Sequence, residues 1–275
     1  MSPVVSAFDD RFPPPELDRS VWTPSYLPAW SSRAAAAASY RVDEEGLRLS
    51  IPDDHPVWCP DLHHPPLRVS AVQSGNWSGP VGSTRGQQPF REGLVVREEQ
   101  PESRGFVPLH GRVEVECRAV LGPRSMFSAW LIGMEDRPDR CGEICLVEVF
   151  GDAIDDRGAA LGTGIHPFRD PALHEEFSAE HRAIDVAQLH RYAVDRRPDG
   201  VDFLVDGEVV RRSAQSPAYP MLLIIGLFDF PDRAVPGTVE PPPELVVRRV
   251  VGTGPPIRPP DGDPPPAQPP TRRTA

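Results

Sequence analysis

The feature that most constrains this chain is a succession of short segments in which apolar and polar residues alternate. Alternation with a period of two places successive side chains on opposite faces of a β-strand. Pro residues, 36 in a chain of 275, separate these segments and disfavour helices. The pattern predicts a hairpin over residues 40–51, turning at Glu45-Gly46, and further strands at residues 67–72, 93–97, 111–119, 126–132, 143–150, 190–195, 201–205, 221–228 and 245–251.

The order of these segments predicts an all-β domain built from antiparallel sheets. Asp206-Gly207 lies between two short apolar runs, which is typical of a two-residue hairpin turn. Strands do not alternate with helices, so a parallel doubly wound sheet is disfavoured. One short helix-like stretch, residues 171–179, is expected to lie in a loop. About ten strands without helical crossovers favour a β-sandwich or a barrel.

The two ends of the chain differ from this central region. Residues 1–35 are Pro-rich and are expected to form an irregular arm whose Trp22, Tyr26 and Trp30 pack onto the body. Residues 36–254 form the predicted sandwich. Residues 255–275 consist largely of Pro clusters and are expected to be disordered or to adopt polyproline II structure. Such a tail is either solvated or a ligand for a partner domain that reads Pro-rich motifs.

Charge and composition narrow the classes of partner. A net charge of −11 argues against nucleic acid and against an anionic membrane surface, because both favour basic patches. No apolar run is long enough to span a bilayer and no secretory signal is visible, so a cytoplasmic location is expected. The four Cys residues do not resemble a disulfide framework, and the spacing of Cys141 and Cys145 on a strand does not suit zinc. No metal or cofactor is predicted.

The segment from Cys141 to Gly151 carries the strongest chemical signal. It is rich in β-formers, so it should be a strand on which Glu143 and Cys145 share one face and Glu148 points to the other. A β-bulge in the Leu146–Val147 region would return Glu148 to the face of Glu143. The carboxyl groups would then approach to roughly 6 Å, which permits the separation of about 5–5.5 Å found in retaining glycosidases. The alternative is two solvent-facing Glu side chains on an edge strand.

Six segments in order resemble those of glycoside hydrolase family 16. The sequence from Gly142 to Glu148 is similar to the family's bulged Glu-Ile-Asp-x-x-Glu signature, and Phe150-Gly151 matches the aromatic-Gly that follows it. The other similar segments are residues 111–118, 128–133, 189–207, 220–226 and 245–251. The resemblance extends over residues 40–252 and implies a concanavalin A-like jelly roll, a β-sandwich of two curved antiparallel sheets.

The resemblance also implies a chemistry. Glu143 corresponds to the nucleophile and Glu148 to the general acid/base of a retaining double displacement. The implied carbohydrate substrate is a β-glucan or a related galactan, which is hydrolysed or transferred to an acceptor. The mechanism requires Glu148 to be protonated while Glu143 is ionised. The alternative is a carbohydrate-binding sandwich that keeps the fold without turnover. Family members can carry structural calcium, but no residues here predict a calcium site.

Four further positions are candidates for substrate contacts. Met126 stands where the family has a Trp that lies against a sugar ring, and Trp77 is a candidate replacement from a loop. Trp130 matches a family Trp and suits either the cleft or the core, with the core favoured. His166 follows the predicted catalytic strand where family members present a His to the cleft. It is expected either to contact substrate or to make a structural bond in its loop.

Cys145 departs from the family signature, which has Asp between the two Glu residues. The resemblance implies that this Asp hydrogen-bonds the nucleophile and adds negative charge, whereas a thiol is a weak donor without charge. The loss of repulsion should lower the pKa of both carboxyls, so weaker catalysis or a more acidic pH optimum is expected. A role for Cys145 itself as nucleophile or redox switch is disfavoured, because no His adjoins it in the sequence.

Replacing Cys145 by Asp is expected to raise turnover, because its carboxylate restores the negative charge that the resemblance implies beside Glu143 and Glu148 and so raises the pKa of the acid/base. Release of reducing ends from one glycan by the Cys145→Asp variant and by the wild-type chain measures the effect. Lower turnover in the variant would contradict this account of the position.

Overall fold

The computed structural model describes residues 6–234, 237, 240 and 242–254. Its strands are β1 (Ser6–Asp10), β2 (Ser39–Asp43), β3 (Gly46–Ser50), β4 (Arg68–Gln73), β5 (Gly75–Asn76), β6 (Ser103–Arg104), β7 (Gly111–Val120), β8 (Ser125–Gly133), β9 (Glu143–Phe150), β10 (Ile154–Asp155), β11 (Gly158–His166), β12 (Glu176–Arg182), β13 (His190–Arg197), β14 (Gly200–Val205), β15 (Glu208–Ser213), β16 (Met221–Asp229) and β17 (Glu244–Gly254). Three short 3₁₀ helices lie in connections, at Pro28–Trp30, Gly151–Ala153 and Pro231–Arg233. None of the helices in these described ranges is long and apolar enough to cross a membrane. The predicted Pro-rich tail, residues 255–275, lies outside the described residues.

Two large antiparallel sheets pack face to face. The first has the strand order β15-β14-β13-β7-β17-β3-β2, with β1 paired to β17. The second has the order β10-β11-β9-β8-β16-β4, with β12 paired to β11. β5 and β6 form a small separate pair. The predicted all-β sandwich is confirmed, and about half of its neighbouring strand pairs, such as β7-β17 and β16-β4, join segments distant in sequence, as in a jelly roll.

The core between the two sheets follows from the alternation in the sequence. In β7, Val113, Val115 and Cys117 are buried, whereas the residues between them are partly exposed. In β8 and β16 every residue is buried, because the second sheet is covered on both faces. Removing this apolar surface from water, at about 25 cal/mol per Å², is the main force that holds the sheets together.

A second apolar cluster covers the outer face of the second sheet. Side chains of β8 and β16, including Trp130 and Phe228, form its floor, and loop residues, including Trp30 and Trp58, form its roof. Trp30 is fully buried, as predicted for this part of the arm, and its Nε1 donates a hydrogen bond to the carbonyl of Gln87 at 2.8 Å. The loop of residues 77–102 is therefore fixed above this face of the sheet.

Several sequence predictions of local structure are wrong. Residues 93–97 form no strand: Leu94 and Val96 are buried, but their segment bonds to other loops, as when the Val96 N–H donates to the Ser83 carbonyl. Residues 171–179 are not helical and run as a loop into β12. The arm of residues 1–35 contributes β1 to the first sheet and is not irregular throughout. The Gly- and Ala-rich β11 and the polar β12 gave no strand signal, because their pairing depends on neighbours distant in sequence.

Trp30→Phe is expected to lower the free energy of unfolding by about 1–3 kcal/mol, because a small cavity forms and the buried Gln87 carbonyl loses its donor. Urea or thermal unfolding measures the change. Val81→Ala, at an exposed position of the loop of residues 77–102 that Trp30 anchors, is the control. It should change the free energy of unfolding by less than about 0.5 kcal/mol. Equal effects of the two variants would contradict the anchoring role of Trp30.

Candidate active site

The site is organised by a β-bulge in β9. Along the pairing of β8 with β9, Ala129 lies opposite Val147 and Trp130 lies opposite Cys145, so Leu146 has no partner. One extra residue in a strand reverses the alternation of faces beyond it. The predicted bulge is therefore confirmed, at the predicted position.

The bulge divides the side chains of β9 between two environments. Leu146 and Val147 both point into the core between the sheets. Glu143, Cys145 and Glu148 consequently share the outer face of the second sheet, where the two Glu side chains are half-buried. Two carboxyl groups thus face one cleft, which excludes the alternative of exposed Glu residues on an edge strand, since β9 lies between β8 and β11.

The neighbouring strand β11 leaves room for Glu148. Gly162 lies opposite Glu148, and a Cβ atom on Gly162 would approach the Glu148 Cβ to 3.2 Å and the Phe177 Cζ to 2.6 Å. A side chain at this position would displace one of them. Gly162 is therefore required by the close approach of its neighbours.

The beginning of β9 is held by buried polar contacts. The backbone N–H of Gly142 donates to the Tyr219 hydroxyl at 2.8 Å, and that hydroxyl donates to Asp170 Oδ2 at 2.7 Å. The backbone N–H of Arg169 donates to the sulfur of Cys141 at 3.1 Å. These contacts tie the loop after β11 to the residues immediately before Glu143.

Gln88, in the loop of residues 77–102, reaches across the cleft to the carboxyl pair. Its side-chain Nε2 donates to Glu143 Oε2 at 2.7 Å, and its Oε1 accepts from the indole Nε1 of Trp130 at 3.3 Å. Its backbone N–H donates to Glu135 Oε1 at 2.5 Å, and Glu135 is ion-paired with Arg169. Sequence analysis did not identify Gln88 or Glu135, because their contacts cross between segments that are distant in the chain.

The pKa values of the carboxyl pair are raised. Burial raises the pKa of Glu143 to about 8, and the charge of Glu148 adds to the effect, while the Gln88 hydrogen bond opposes it. Burial also raises the pKa of Glu148, and the nearby His166 lowers it. Burial and mutual repulsion therefore favour one proton on the carboxyl pair of the free protein at neutral pH.

The two carboxyls have different electrostatic surroundings. Glu143 faces the carboxylates of Glu148 and Glu175, which raise its pKa, whereas Glu148 faces the imidazole of His166, which lowers its pKa. Protonation of Glu148 with Glu143 ionised, as the sequence resemblance implies, stays a prediction. The decrease in pKa expected from the Cys145 substitution is opposed by burial, which acts on both carboxyls in the other direction.

Cys145 is almost fully buried between the two Glu residues. Its sulfur lies 4.0 Å from Ser128 Oγ and 3.9 Å from the Gly162 carbonyl oxygen, and it has no hydrogen bond to either carboxyl within the described ranges. Burial raises the pKa of the thiol well above its ordinary value, and the charges of Glu143 and Glu148 add to this. Cys145 therefore stays a neutral thiol, which argues further against a role as nucleophile.

The cleft above the pair has a volume of about 290 Å³ and an aromatic wall. Its lining residues are Tyr26, Leu67, Gln88, Met126, Ser128, Trp130, Glu143, Glu148, Phe150, Phe228 and Phe230. Phe150 lies two residues after Glu148 on the same strand, so alternation alone could have identified it. Tyr26 comes from the N-terminal arm, and no local signal places it here.

The predicted substrate contacts occupy different places. Met126 and Trp130 line the cleft, and Trp130 also belongs to the second apolar cluster. Trp77 is not among the residues of this cleft wall; it is partly buried, with the guanidinium of Arg85 stacked 4.9 Å from its ring centroid. His166 is paired opposite Glu143, and its Nδ1 lies 2.9 Å from Glu175 Oε1. A structural bond for His166 is thus present, and its role toward substrate stays a prediction.

The cleft continues away from the carboxyl pair through two adjoining cavities. A cavity of about 180 Å³ shares Tyr26, Leu67 and Gln88 with the first and adds Trp58 and Phe90. A third cavity of about 510 Å³ shares Pro89, Phe90, Glu135 and Arg169 with the second. Within the described part of the chain, no three His, Cys, Asp or Glu side chains gather as metal ligands would.

Comparisons with known proteins complete the description. Neither a scan of protein-family models nor a search of curated sequences found a match. Among solved structures, a GlcNAcα1-4Gal-releasing endo-β-galactosidase from Clostridium perfringens is similar, with 26% identity and a TM-score of 0.78 over 91% of this chain. The alignment spans only 62% of that longer chain.

Two other solved structures share the fold at lower identity. The laminarinase catalytic domain from Thermotoga maritima MSB8 has 14% identity and a TM-score of 0.60, over 90% of this chain and 96% of its own. A non-specific endo-β-1,3(4)-glucanase of glycoside hydrolase family 16 has 16% identity and a TM-score of 0.63, over 93% and 94%. The resemblance found in the sequence is therefore confirmed at the level of the fold: the chain has the jelly roll of the family 16 glycoside hydrolases.

Proposed function

We propose that this protein is a retaining glycoside hydrolase that cleaves a β-linked glycan within its cleft. The observation that carries the proposal is the bulge of β9, which places Glu143 and Glu148 on one face of an aromatic-walled cleft. A binding module has no need for two interacting carboxyl groups whose pKa values are raised by burial. Burying these groups costs folding stability without adding affinity for a neutral sugar.

In the proposed reaction Glu143 is the nucleophile and Glu148 is the general acid/base. A carboxylate oxygen of Glu143 attacks the anomeric carbon while the bond to the leaving oxygen breaks and Glu148 gives that oxygen its proton. In the second step a water attacks the anomeric carbon, the ester to Glu143 breaks, and Glu148 takes the water's proton. An acceptor sugar in place of water gives transglycosylation.

The first step requires the proton of the pair to be on Glu148, although burial and the charge of Glu148 raise the pKa of Glu143 in the free protein. The pair shares one proton across a wide pH range, since ionisation of one carboxyl raises the pKa of the other. Positive charge that develops at the anomeric carbon favours ionised Glu143 and leaves the proton to Glu148. The hydrogen bond from Gln88 acts in the same direction.

The substrate class follows from the cleft and from the comparisons. Two adjoining cavities extend the cleft beyond the carboxyl pair, which suits an endo-acting enzyme that holds several sugar units. The similar structures are named as an endo-β-galactosidase, a laminarinase and an endo-β-glucanase. The endo-β-galactosidase has the highest identity and TM-score of the three, which supports a galactoside-containing glycan ahead of a β-glucan.

Glu143→Gln is expected to reduce turnover by on the order of 10³-fold or more, because an amide cannot form the glycosyl ester. Reducing-end release from a panel of galactans and β-glucans, at several pH values, measures turnover by the variant and the wild-type chain. Glu180→Gln, a half-exposed Glu on β12, is the control and should keep wild-type turnover.

Two results would contradict the proposal. Turnover retained in Glu143→Gln would exclude the assigned nucleophile. No turnover by folded wild-type protein on any glycan, with binding retained, would instead support a carbohydrate-binding sandwich that has lost catalysis, for which Cys145 would be the first residue to replace.

A further inference from the structure

Gln88 hydrogen-bonds to the carboxyl pair from the loop that forms the opposite wall of the cleft. In the described part of the chain it is the residue whose side chain hydrogen-bonds to the carboxyl pair, through Nε2 to Glu143 Oε2 at 2.7 Å. Cys145, which lies between the two Glu residues, directs its sulfur to Ser128 and Gly162. The support that Glu143 receives from a side chain therefore comes from the opposite wall of the cleft.

The orientation of the Gln88 amide is determined by its second partner. An indole N–H only donates, so the atom that faces Trp130 Nε1 at 3.3 Å must be the carbonyl oxygen of Gln88. The NH₂ group then has to face Glu143. A donor favours the ionised form of its carboxylate partner and fixes the direction of its lone pairs.

The backbone of Gln88 is held as firmly as its side chain. Its φ of +43° lies in the left-handed region, which is unfavourable for a residue with a Cβ. The buried carboxyl of Glu135 accepts its backbone N–H, and Arg169 holds that carboxyl in turn. On the other side, Trp30 bonds to the carbonyl of Gln87. A strained conformation with this many supports indicates a positioning role.

We propose that Gln88 is the positioning residue for the nucleophile: it orients Glu143 and stabilises its carboxylate form, a contact that Cys145 does not make. This inference rests on the proposed function. Gln88 acts through Glu143 and needs no contact with substrate.

Titration of the carboxyl groups by ¹³C NMR tests the proposal whether or not a substrate is known. Gln88→Met keeps the volume and removes the donor, and Gln88→Ala removes both. In each variant the pKa of Glu143 should rise by about one unit or more. In Gln100→Ala, which disturbs a buried amide in the same loop, it should stay unchanged.

On a glycan that is turned over, the acidic limb of the kcat/KM profile should move to higher pH in both Gln88 variants. The value of kcat should fall by about 10-fold or more, with a smaller change in KM. A Glu143 pKa and an acidic limb that stay at wild-type values in Gln88→Met would overturn the proposal. Absence of turnover by the wild-type chain would count against the proposed function alone, because the NMR titration does not depend on activity.

The third cavity, at the far end of the cleft from the carboxyl pair, is rich in arginine. Three arginines, Arg85, Arg91 and Arg169, line its volume of about 510 Å³, together with Glu92 and Glu135. Three guanidinium groups against two carboxylates give this lining a small positive formal charge, whereas the chain as a whole has a net charge of −11. The carboxyl pair at the other end of the cleft gives that end the opposite charge.

Arg169 is paired with Glu135, whereas Arg85 and Arg91 have no carboxylate within 4.0 Å in the described ranges. Arg85 donates to the Asp136 carbonyl at 3.0 Å and stacks on the ring of Trp77. Arg91 donates to the Leu62 carbonyl at 3.3 Å and is close enough to Asp61 to lower the pKa of that exposed carboxyl. Contacts to carbonyls orient a guanidinium without neutralising it, and such a group binds carboxylate or sulfate oxygens well.

The geometry points to a subsite for an anionic substituent of the glycan, a sulfate ester or a carboxylate, bound by Arg85 and Arg91. The aromatic cavity between this subsite and the carboxyl pair, with Trp58 and Phe90, would hold the intervening sugar unit. This inference also rests on the proposed function, and it narrows the substrate to acidic glycans.

Binding to the Glu143→Gln chain, measured by calorimetry, tests the subsite with three probes: sulfated galactan oligosaccharides, the same oligosaccharides after desulfation, and glucuronate-containing oligosaccharides. Removal of the sulfate should weaken binding by about 10-fold. In the double variant Arg85→Gln/Arg91→Gln this difference should vanish. Arg19→Gln/Arg248→Gln, the same change of charge on other parts of the surface, should preserve it.

The outcomes distinguish a sulfate from a carboxylate as the bound anion, and they distinguish failure of the subsite from failure of the proposed function. Preference for the sulfated or for the glucuronate probe identifies the anion and supports the subsite. Equal binding of sulfated and desulfated probes, with no gain for glucuronate, or an unchanged preference in Arg85→Gln/Arg91→Gln, overturns it. Turnover of neutral glycans alone would leave the proposed function intact and exclude the acidic substrate.

Discussion

The extra residue in β9 is the constraint on which the rest of the site depends. With strict alternation, Glu143 and Glu148 would lie on opposite faces of the second sheet, and one of them would be buried in the apolar core. Leu146 is the extra residue: it lies in the core beside Val147 and has no partner on β8. Both carboxyls then face the same cleft. The absence of a side chain at Gly162 completes the arrangement, because it leaves space beside Glu148.

The loops above the second sheet convert this arrangement into a cleft. The second apolar cluster fixes residues 77–102 above β8 and β16, and Trp30 anchors the loop directly before Gln88. Burial by these loops raises the pKa of both carboxyls, so the same packing that excludes water also supplies a proton near neutral pH. Stability and chemistry are coupled here. A change that loosens the loop would expose Glu143 to water and would also break its hydrogen bond with Gln88.

Charge is distributed unevenly along the cleft. Glu143, Glu148 and Glu175 make one end negative, and the arginines of the third cavity make the other end positive. A neutral glycan would gain little from this gradient, whereas an acidic glycan would be placed in one direction with its charged group away from the nucleophile. Gln88 and the arginines of the proposed subsite belong to the same loop, but Gln88 contacts the carboxyl pair and Arg85 and Arg91 line the third cavity. Each proposal is therefore tested by a different measurement and can fail without the other.

The sequence by itself determined the all-β class and most strand positions, because both depend on the alternation of neighbouring residues. The bulge and the candidate carboxyl pair were predicted from the resemblance of residues 142–148 to the family signature, since strict alternation would have placed Glu148 on the other face. Only the tertiary structure decided what surrounds the pair. Gln88, Tyr26 and Glu135 reach the cleft through contacts between segments far apart in the chain, and no local pattern encodes such contacts. The same reason explains the missed β11 and β12, whose Gly-rich and polar sequences become strands only beside β9. The raised pKa values of the carboxyl pair likewise depend on burial and on neighbouring charges, which exist only in the folded chain.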